Sequence, residues 1–279
     1  MTGCCRGRVV SIPCDADRPG PGVALTPPHD LAGPSQAIDP IELYAAAIDT
    51  SDYVARVVPL IRQGVRDVGD LLDIGAGGGQ LGAALRAPER RWTAVEPSSN
   101  MRARLARLSA PPLVIAEGWE LADLPIRGHD TVLAANIAAP LQEPNAFLAR
   151  CLSWSRRSVV WVVPAQHGPH GLCFAGCLPA AWHGEDETPG VDLVLRALAP
   201  SAQPHALAVA EWTFSGIVAD VAELAAYLAD RLGWAPSRRS EMTAHLARRA
   251  KFDPRGYRLE IPRKSAILIW TCQEGGVHG

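Results

Sequence analysis

The chain has 279 residues, 48% apolar and 20% charged, with a net charge of −2, which excludes a disordered polyelectrolyte and gives no whole-molecule attraction to nucleic acid or an anionic membrane. Seven irregularly spaced cysteines, in a chain long enough to bury a core without disulfides, point to a reducing compartment, so a cytoplasmic protein is expected. No stretch reaches the uninterrupted apolar length of a membrane span, and VVSI before Pro13 is too short for a signal-peptide core.

Residues 1–40 hold seven Pro and five Gly and read as a leader outside the packed core. From Ile41, IELYAAAI carries apolar residues at helical spacing. After a cap at Ser51 or Asp52, YVARVVPLIRQGV does the same, with Pro59 predicting a kink or break. Short apolar strands then alternate with helices. DLLDI (70–74), WTAVE (92–96), PLVIAE, DTVLAAN (130–136) and SVVWVV read as strands, separated by helices in QLGAALRA, SNMRARLARL and NAFLARCLSW. Strands of this kind between helices of about ten residues indicate a parallel sheet covered on both faces. Beyond Pro164, Thr188 is placed to cap a helix GVDLVLRAL, with Pro189 in its first turn. ALAVAEWTF (206–214) and SAILIWT (265–271) read as two further strands, with amphipathic helices DVAELAAYLADRL and SEMTAHLARRAK between them. The expected architecture is a doubly wound α/β domain over 41–279, with leading helices in 41–68 and halves at 69–164 and 165–279.

The informative segment is LLDIGAGGGQLG (71–82): an apolar strand, an acid two residues before the first glycine, a glycine-rich turn and a helix. Glycines let a backbone turn sharply and approach a ligand closely. The dinucleotide fingerprint is incomplete, because Gly75 and Gly77 fit but Gln80 occupies the third required position. Asp73 narrows the choice further. A carboxylate beside the turn repels a pyrophosphate but suits a ligand carrying an ammonium group. Glu96 ends the next strand, where a carboxylate accepts both hydroxyls of a ribose. Gly118, Trp119 and Glu120 follow the third strand, where a planar ring could lie on an adenine, and Asn136 ends the fourth.

DLLDIGAGGG, followed by WTAVEPSSNM and LVIAEGWELADLP, resembles the class I S-adenosylmethionine-dependent methyltransferases over about 69–164, with 165–279 similar only in element order. The resemblance implies a mostly parallel seven-stranded sheet with helices on both faces and an antiparallel last strand, 265–271. It implies S-adenosyl-L-methionine as cofactor and S-adenosyl-L-homocysteine as product. By the same resemblance, Asp73, Gly75, Ala76 and Gly77 surround the methionine part, and Glu96 takes the ribose, with Pro97, Ser98 and Met101 nearby. Gly118, Trp119 and Glu120 would face the adenine, and Asn136 would meet cofactor and acceptor.

HGPHGLCFAGCLPAAWHGEDETPG (167–190) follows the fifth strand and faces three readings. Cys173, Cys177, His167, His170 and His183 have spacing that permits zinc without being diagnostic of it. Alternatively, Cys173, Phe174, Cys177 and Leu178 are packing residues of a lid. The preferred reading places His167, His170 or His183 as a base, with Trp182, Glu185 and Asp186 on the acceptor, and no resident metal. Methyl transfer to a small molecule is the expected activity. NIAAP after the fourth strand departs from the Asn-Pro-Pro-aromatic signature of base-methylating enzymes. Between Arg231 and Lys264, ten Lys or Arg accompany three acids (Glu241, Asp253, Glu260), which keeps an RNA methyltransferase as the alternative. A regulatory protein that binds S-adenosylmethionine or a metal without turnover is the alternative of another class.

Overall fold

The structure, a computed structural model, describes residues 38–137, 139–168, 174–184 and 188–272. Two helices lead: α1 (Pro40–Thr50), capped by Asp39 accepting from the Ile41 and Glu42 amides, and α2 (Tyr53–Gly64). Pro59 does not break α2. The carbonyl that loses its donor is that of Ala55, four residues earlier, and both residues are on the exposed face, where solvent satisfies it.

Five parallel strands follow: β1 (Leu71–Ile74), β2 (Trp92–Val95), β3 (Leu113–Ile115), β4 (His129–Ala135) and β5 (Ser155–Pro164). They alternate with α3 (Gln80–Leu85), α4 (Ser99–Leu105, capped by Ser98) and α5 (Pro144–Trp154). The chain then runs through α6 (Ala180–His183), α7 (Gly190–Ala197), β6 (Ala206–Val218), α8 (Val221–Arg231), α9 (Arg239–Arg249), β7 (Lys251–Asp253) and β8 (Gly256–Thr271). Pro189, with no side-chain donor or acceptor, takes the cap position of α7 expected for Thr188.

The sheet path is β3-β2-β1-β4-β5-β8-β6, with β7 pairing β8 off that path. The sheet therefore has eight strands where seven were expected, the addition being the short β7. β8 lies antiparallel to both β5 and β6. It is also much longer than the predicted 265–271, because YRLEI continues the alternation with Leu259 and Ile261 buried. Pro262 disguises that continuation, since a proline argues against a central strand.

Strand side chains alternate between two cores. Leu71, Leu133, Val160, Val162, Ile267 and Ile269 join α1, α2, α8 and α9 on one face. Leu72, Val132, Val159, Trp161, Val163, Leu268 and Trp270 join α5 and α7 on the other. Both faces being covered, β5 and β8 read as continuous apolar runs. The amino edge of the sheet is closed by ion pairs of Arg156 with Asp130 (2.9 Å) and Asp70 (3.3 Å) and of Arg91 with Asp70 (3.3 Å). The opposite, carboxyl edge is the one left for a ligand.

Two contacts fix what stands above that edge. Ser265 of β8 faces Pro164, the last residue of β5, so Gly256–Lys264 pair with β6 and β7 alone and extend past the parallel strands. The α1–α2 turn then covers the outer edge of β6: Asp52 accepts from the Thr213 amide (2.6 Å), Ser51 accepts from the Ser215 amide (2.8 Å), and Thr50 donates to the Ser215 carbonyl. An exposed strand edge is thereby closed by side chains. Within this corner Gly216 lies against the fully buried Phe174, and a Cβ there would overlap the ring. Gly216→Ala is expected to destabilise the fold by about 1–3 kcal/mol, read as a lower urea midpoint with an unchanged slope.

Candidate functional site

The strand order reverses between β1 and β4, and ligands of open α/β sheets bind at such a crevice, outside the carboxyl ends of the strands. A cavity of about 630 Å3 lies there, within the range of small-molecule sites. All twelve residues singled out around the cofactor line it: Asp73, Gly75, Ala76, Gly77, Glu96, Pro97, Ser98, Met101, Gly118, Trp119, Glu120 and Asn136. Ile41, Tyr44, Ala45 and Ile48 of α1, with Tyr53 of α2, also line it and were not predicted as site residues. Helical periodicity alone does not tell a core-facing stripe from a cavity-facing one.

Glu96 organises the floor. Its Oε2 accepts from the Gly77 amide and its Oε1 from the Ser98 amide, both at 2.8 Å, so one carboxylate joins the turns after β1 and β2. Each oxygen keeps a further lone pair for a ligand. Gly77 has φ +55, and a Cβ there would have no atom within 4 Å, so the backbone at this point faces open space. Asn136, with φ +56, occupies the left-handed region that asparagine tolerates better than most side chains. Trp119 packs edge-on against Phe147, with ring centroids 5.1 Å apart, and its buried indole nitrogen has no hydrogen-bond partner among the described residues.

Asp73 is 3% exposed, and among the described residues it has no ion-pair partner. Burial pushes its carboxyl up to about 7; the adjacent Trp92 indole pulls it down, and the Glu96 charge adds to the rise. The charged residues lining the cavity, Asp73, Glu96 and Glu120, are all acids. A site of this sign favours a ligand that brings its own positive charge.

A second cavity, of about 430 Å3, adjoins the first and shares Ile41, Tyr44, Asn136 and Ile137 with it. Its far wall is the β6–β8 extension, through Trp212, Phe214, Arg263, Lys264 and Ser265, with Arg231 from α8 and Gln166 after β5. Tyr44 stacks on Phe214 (5.8 Å), Tyr53 packs on Trp212 (4.6 Å), and Trp212 donates to the Ser265 hydroxyl (3.0 Å). The loops after β4 and β5 contribute Ile137, Leu141 and Gln166, and the leading helix contributes Pro40, Ile41 and Tyr44. The β6–β8 wall was missed, because the pairing that raises it is long-range.

The stretch 167–190 divides. His170, Cys173, Glu185 and Asp186 lie outside the described residues. Phe174, Cys177 and Leu178 are buried core residues, and burial pushes the Cys177 thiol up to about 11. Among the described residues no group of three His, Cys, Asp or Glu is assembled that could hold a metal. His167 is exposed and His183 half-buried, and neither lines the cavities described above. Trp182 packs on His245 (4.7 Å) and Trp234 (4.9 Å), away from both linings. The basic segment is largely paired internally: Arg238 with Glu241, Arg239 with Asp230, Lys251 with Glu260, and Arg255 and Arg258 with Asp253. No described helix is long and apolar enough to cross a membrane.

No protein-family model and no curated protein matches the chain. Solved structures with similarity to it include a candidate type II methyltransferase from Anaeromyxobacter dehalogenans, 18% identical, covering 77% of this chain and 95% of its own, with a TM-score of 0.49. The YcgJ protein from Bacillus subtilis is 13% identical over 78% of this chain and 98% of its own (TM-score 0.48). Magnesium protoporphyrin IX methyltransferase from Synechocystis, with bound SAH, is 12% identical over 85% of this chain and 89% of its own (TM-score 0.42). Identities this low bear on fold alone.

The Asp73 carboxyl gives a stability test. Its folded value lies above the ordinary 3.8, so its contribution is fully present below about pH 4 and is lost as pH rises through about 7. Urea denaturation of Asp73→Asn should show the variant gaining on the parent between pH 5 and 8, by an amount on the order of a few kcal/mol. Parallel stability curves would contradict the buried, elevated carboxyl.

Proposed function

We propose that this chain is an S-adenosylmethionine-dependent methyltransferase that transfers the methyl group in line to a small-molecule acceptor. The observation that carries the reading is the lining of one crevice by a buried carboxylate (Asp73), a second carboxylate bridging two turns (Glu96), a glycine turn open to the cavity and a positive-φ asparagine. The donor set fits the cofactor. Asp73 is a buried carboxyl with no ion-pair partner among the described residues, which suits an ammonium group that would stabilise its ionised form, and the remaining lone pairs of Glu96 suit ribose hydroxyls. Trp119 offers an aromatic surface for the base.

When bound, the cofactor supplies a methyl group already activated by a sulfonium. The protein's task is then positioning and exclusion of water. Tyr44, Asn136 and Ile137 line both cavities, so the shared wall is where an acceptor atom would meet the methyl. Asp73 and Glu96 would hold the cofactor, which would supply the methyl group to an acceptor at that wall and keep the carbon–sulfur electron pair on its sulfur. If the nucleophile is protonated, its proton leaves to solvent or to a base. His167 and His183 line neither cavity, so the reading assigns them no proton transfer.

Calorimetry with S-adenosylmethionine tests the premise, and absence of binding at millimolar ligand would remove it. Binding should strengthen from pH 5 to 8, because the ammonium pairs with ionised Asp73, whose proton must leave. Asp73→Asn is expected to weaken binding about ten- to a hundredfold and to flatten that dependence. Glu96→Gln should weaken adenosine binding about tenfold or more, since it removes the charge from the acceptor of the hydroxyls. Release of S-adenosylhomocysteine with an acceptor separates an enzyme from a protein that only binds the cofactor.

A further inference from the structure

The two adjoining cavities have opposite charge. Among the described residues, the charged ones lining the first are all acids, Asp73, Glu96 and Glu120. Among the described residues, those lining the second are all bases, Arg231, Arg263 and Lys264. Between them lies a wall of Ile41, Tyr44, Asn136 and Ile137, which carries no formal charge. Such segregation is a selectivity device, because a ligand of the wrong sign in either chamber meets like charge in a partly desolvated site.

The second chamber is also aromatic. Tyr44, Trp212 and Phe214 supply ring surface, and the Arg263 guanidinium carbon lies 5.9 Å from the Phe214 ring centroid. Lys264 pairs with Glu211 at 2.7 Å, but the two side chains are 53% and 73% exposed. An ion pair so exposed contributes little, so Lys264 can exchange Glu211 for an incoming anion at small cost. Glu211 itself is not part of this lining. A volume of about 430 Å3 holds a molecule of one or two rings.

We propose that the second chamber binds a planar aromatic acceptor bearing an anionic head group, carboxylate or phosphate, held by Arg263 with its ring among Tyr44, Trp212 and Phe214, while Lys264 adds positive charge from the next position of β8. The name acceptor rests on the methyl-transfer reading; the binding chemistry does not. In this arrangement the anionic head sits on the β6–β8 wall, and the opposite end of the ring reaches the uncharged wall beside the acidic chamber.

The probes are indole-3-acetate and phenyl phosphate as aromatic anions, with tryptamine and indole as the cationic and neutral counterparts. Each is titrated calorimetrically into the full chain with and without S-adenosylhomocysteine. At least one anion should bind tenfold or more tighter than both counterparts, and the two anions against each other distinguish carboxylate from phosphate. Arg263→Gln and Lys264→Gln should each reduce anion binding about fivefold or more and leave indole binding unchanged. Lys264→Glu, at an exposed position, should shift the preference toward tryptamine. Unchanged S-adenosylhomocysteine binding in these variants shows an intact fold. Anion selectivity without S-adenosylhomocysteine binding would support the chamber and remove the methyl-transfer reading. S-adenosylhomocysteine binding with equal or no binding of all four probes would overturn the chamber and spare that reading.

Discussion

The site depends on the register of β8 against β5. Because Ser265 meets Pro164, the last residue of β5, the rest of β8 toward its start has no parallel strand beside it and runs on with β6 beyond the carboxyl edge. That extension turns an open crevice into two chambers. It is held upright by the α1–α2 turn, whose Thr50, Ser51 and Asp52 side chains take up backbone groups of Thr213 and Ser215 on the outer edge of β6. α1 thereby becomes a wall common to both cavities, and a shift of a single residue in the β5–β8 register would turn the extension's inward side chains outward.

Charge is placed on this frame unevenly. Asp73 sits in the core at the end of β1, where burial opposes its ionisation, and a fold built for stability alone gains nothing from it there. A bound cation offsets that penalty, which makes the position informative about ligand chemistry in a way that an exposed acid would not be. Glu96 is also buried, but its two oxygens each accept a backbone amide. The two acids are therefore placed differently: Glu96 ties two turns together, while Asp73, beside the Trp92 indole, carries a raised carboxyl at the cavity lining. Tyr53, 3% exposed and with its hydroxyl held well above its ordinary range chiefly by burial, stays neutral beside them.

Much of the cofactor-side cavity was legible because its residues are local. Asp73, Gly75 and Gly77 lie within one strand-turn-helix unit, and Glu96, Trp119 and Asn136 lie at or just after the ends of neighbouring strands. Parallel strands in a doubly wound sheet deliver their carboxyl ends to one edge, so reading each strand end separately was enough to bring these residues together. The histidine stretch defeated the same approach. Loop residues have no period that says which side chain turns inward, and Trp182 found His245 and Trp234 instead of a cavity. Phe174 and Cys177 went to the core through contacts with residues far along the chain, among them Gly216 and Arg263.

By itself the sequence determined the doubly wound class, the strand ends that carry the cavity-lining acids Asp73 and Glu96, and the glycine turn between them. Each follows from local periodicity and turn chemistry, which act over a few residues. Only the tertiary structure decided that β8 extends through Pro262, that a short β7 adds an eighth strand, and that Arg263 and Lys264 line a second chamber with Tyr44. The β8 extension and the chamber rest on pairings between segments about forty residues apart or more in the chain, such as Thr213 with Pro262, and on side chains meeting across packed elements, whereas β7 pairs with the adjoining start of β8. No local pattern contains that information, because it resides in which surfaces the two cores bring together.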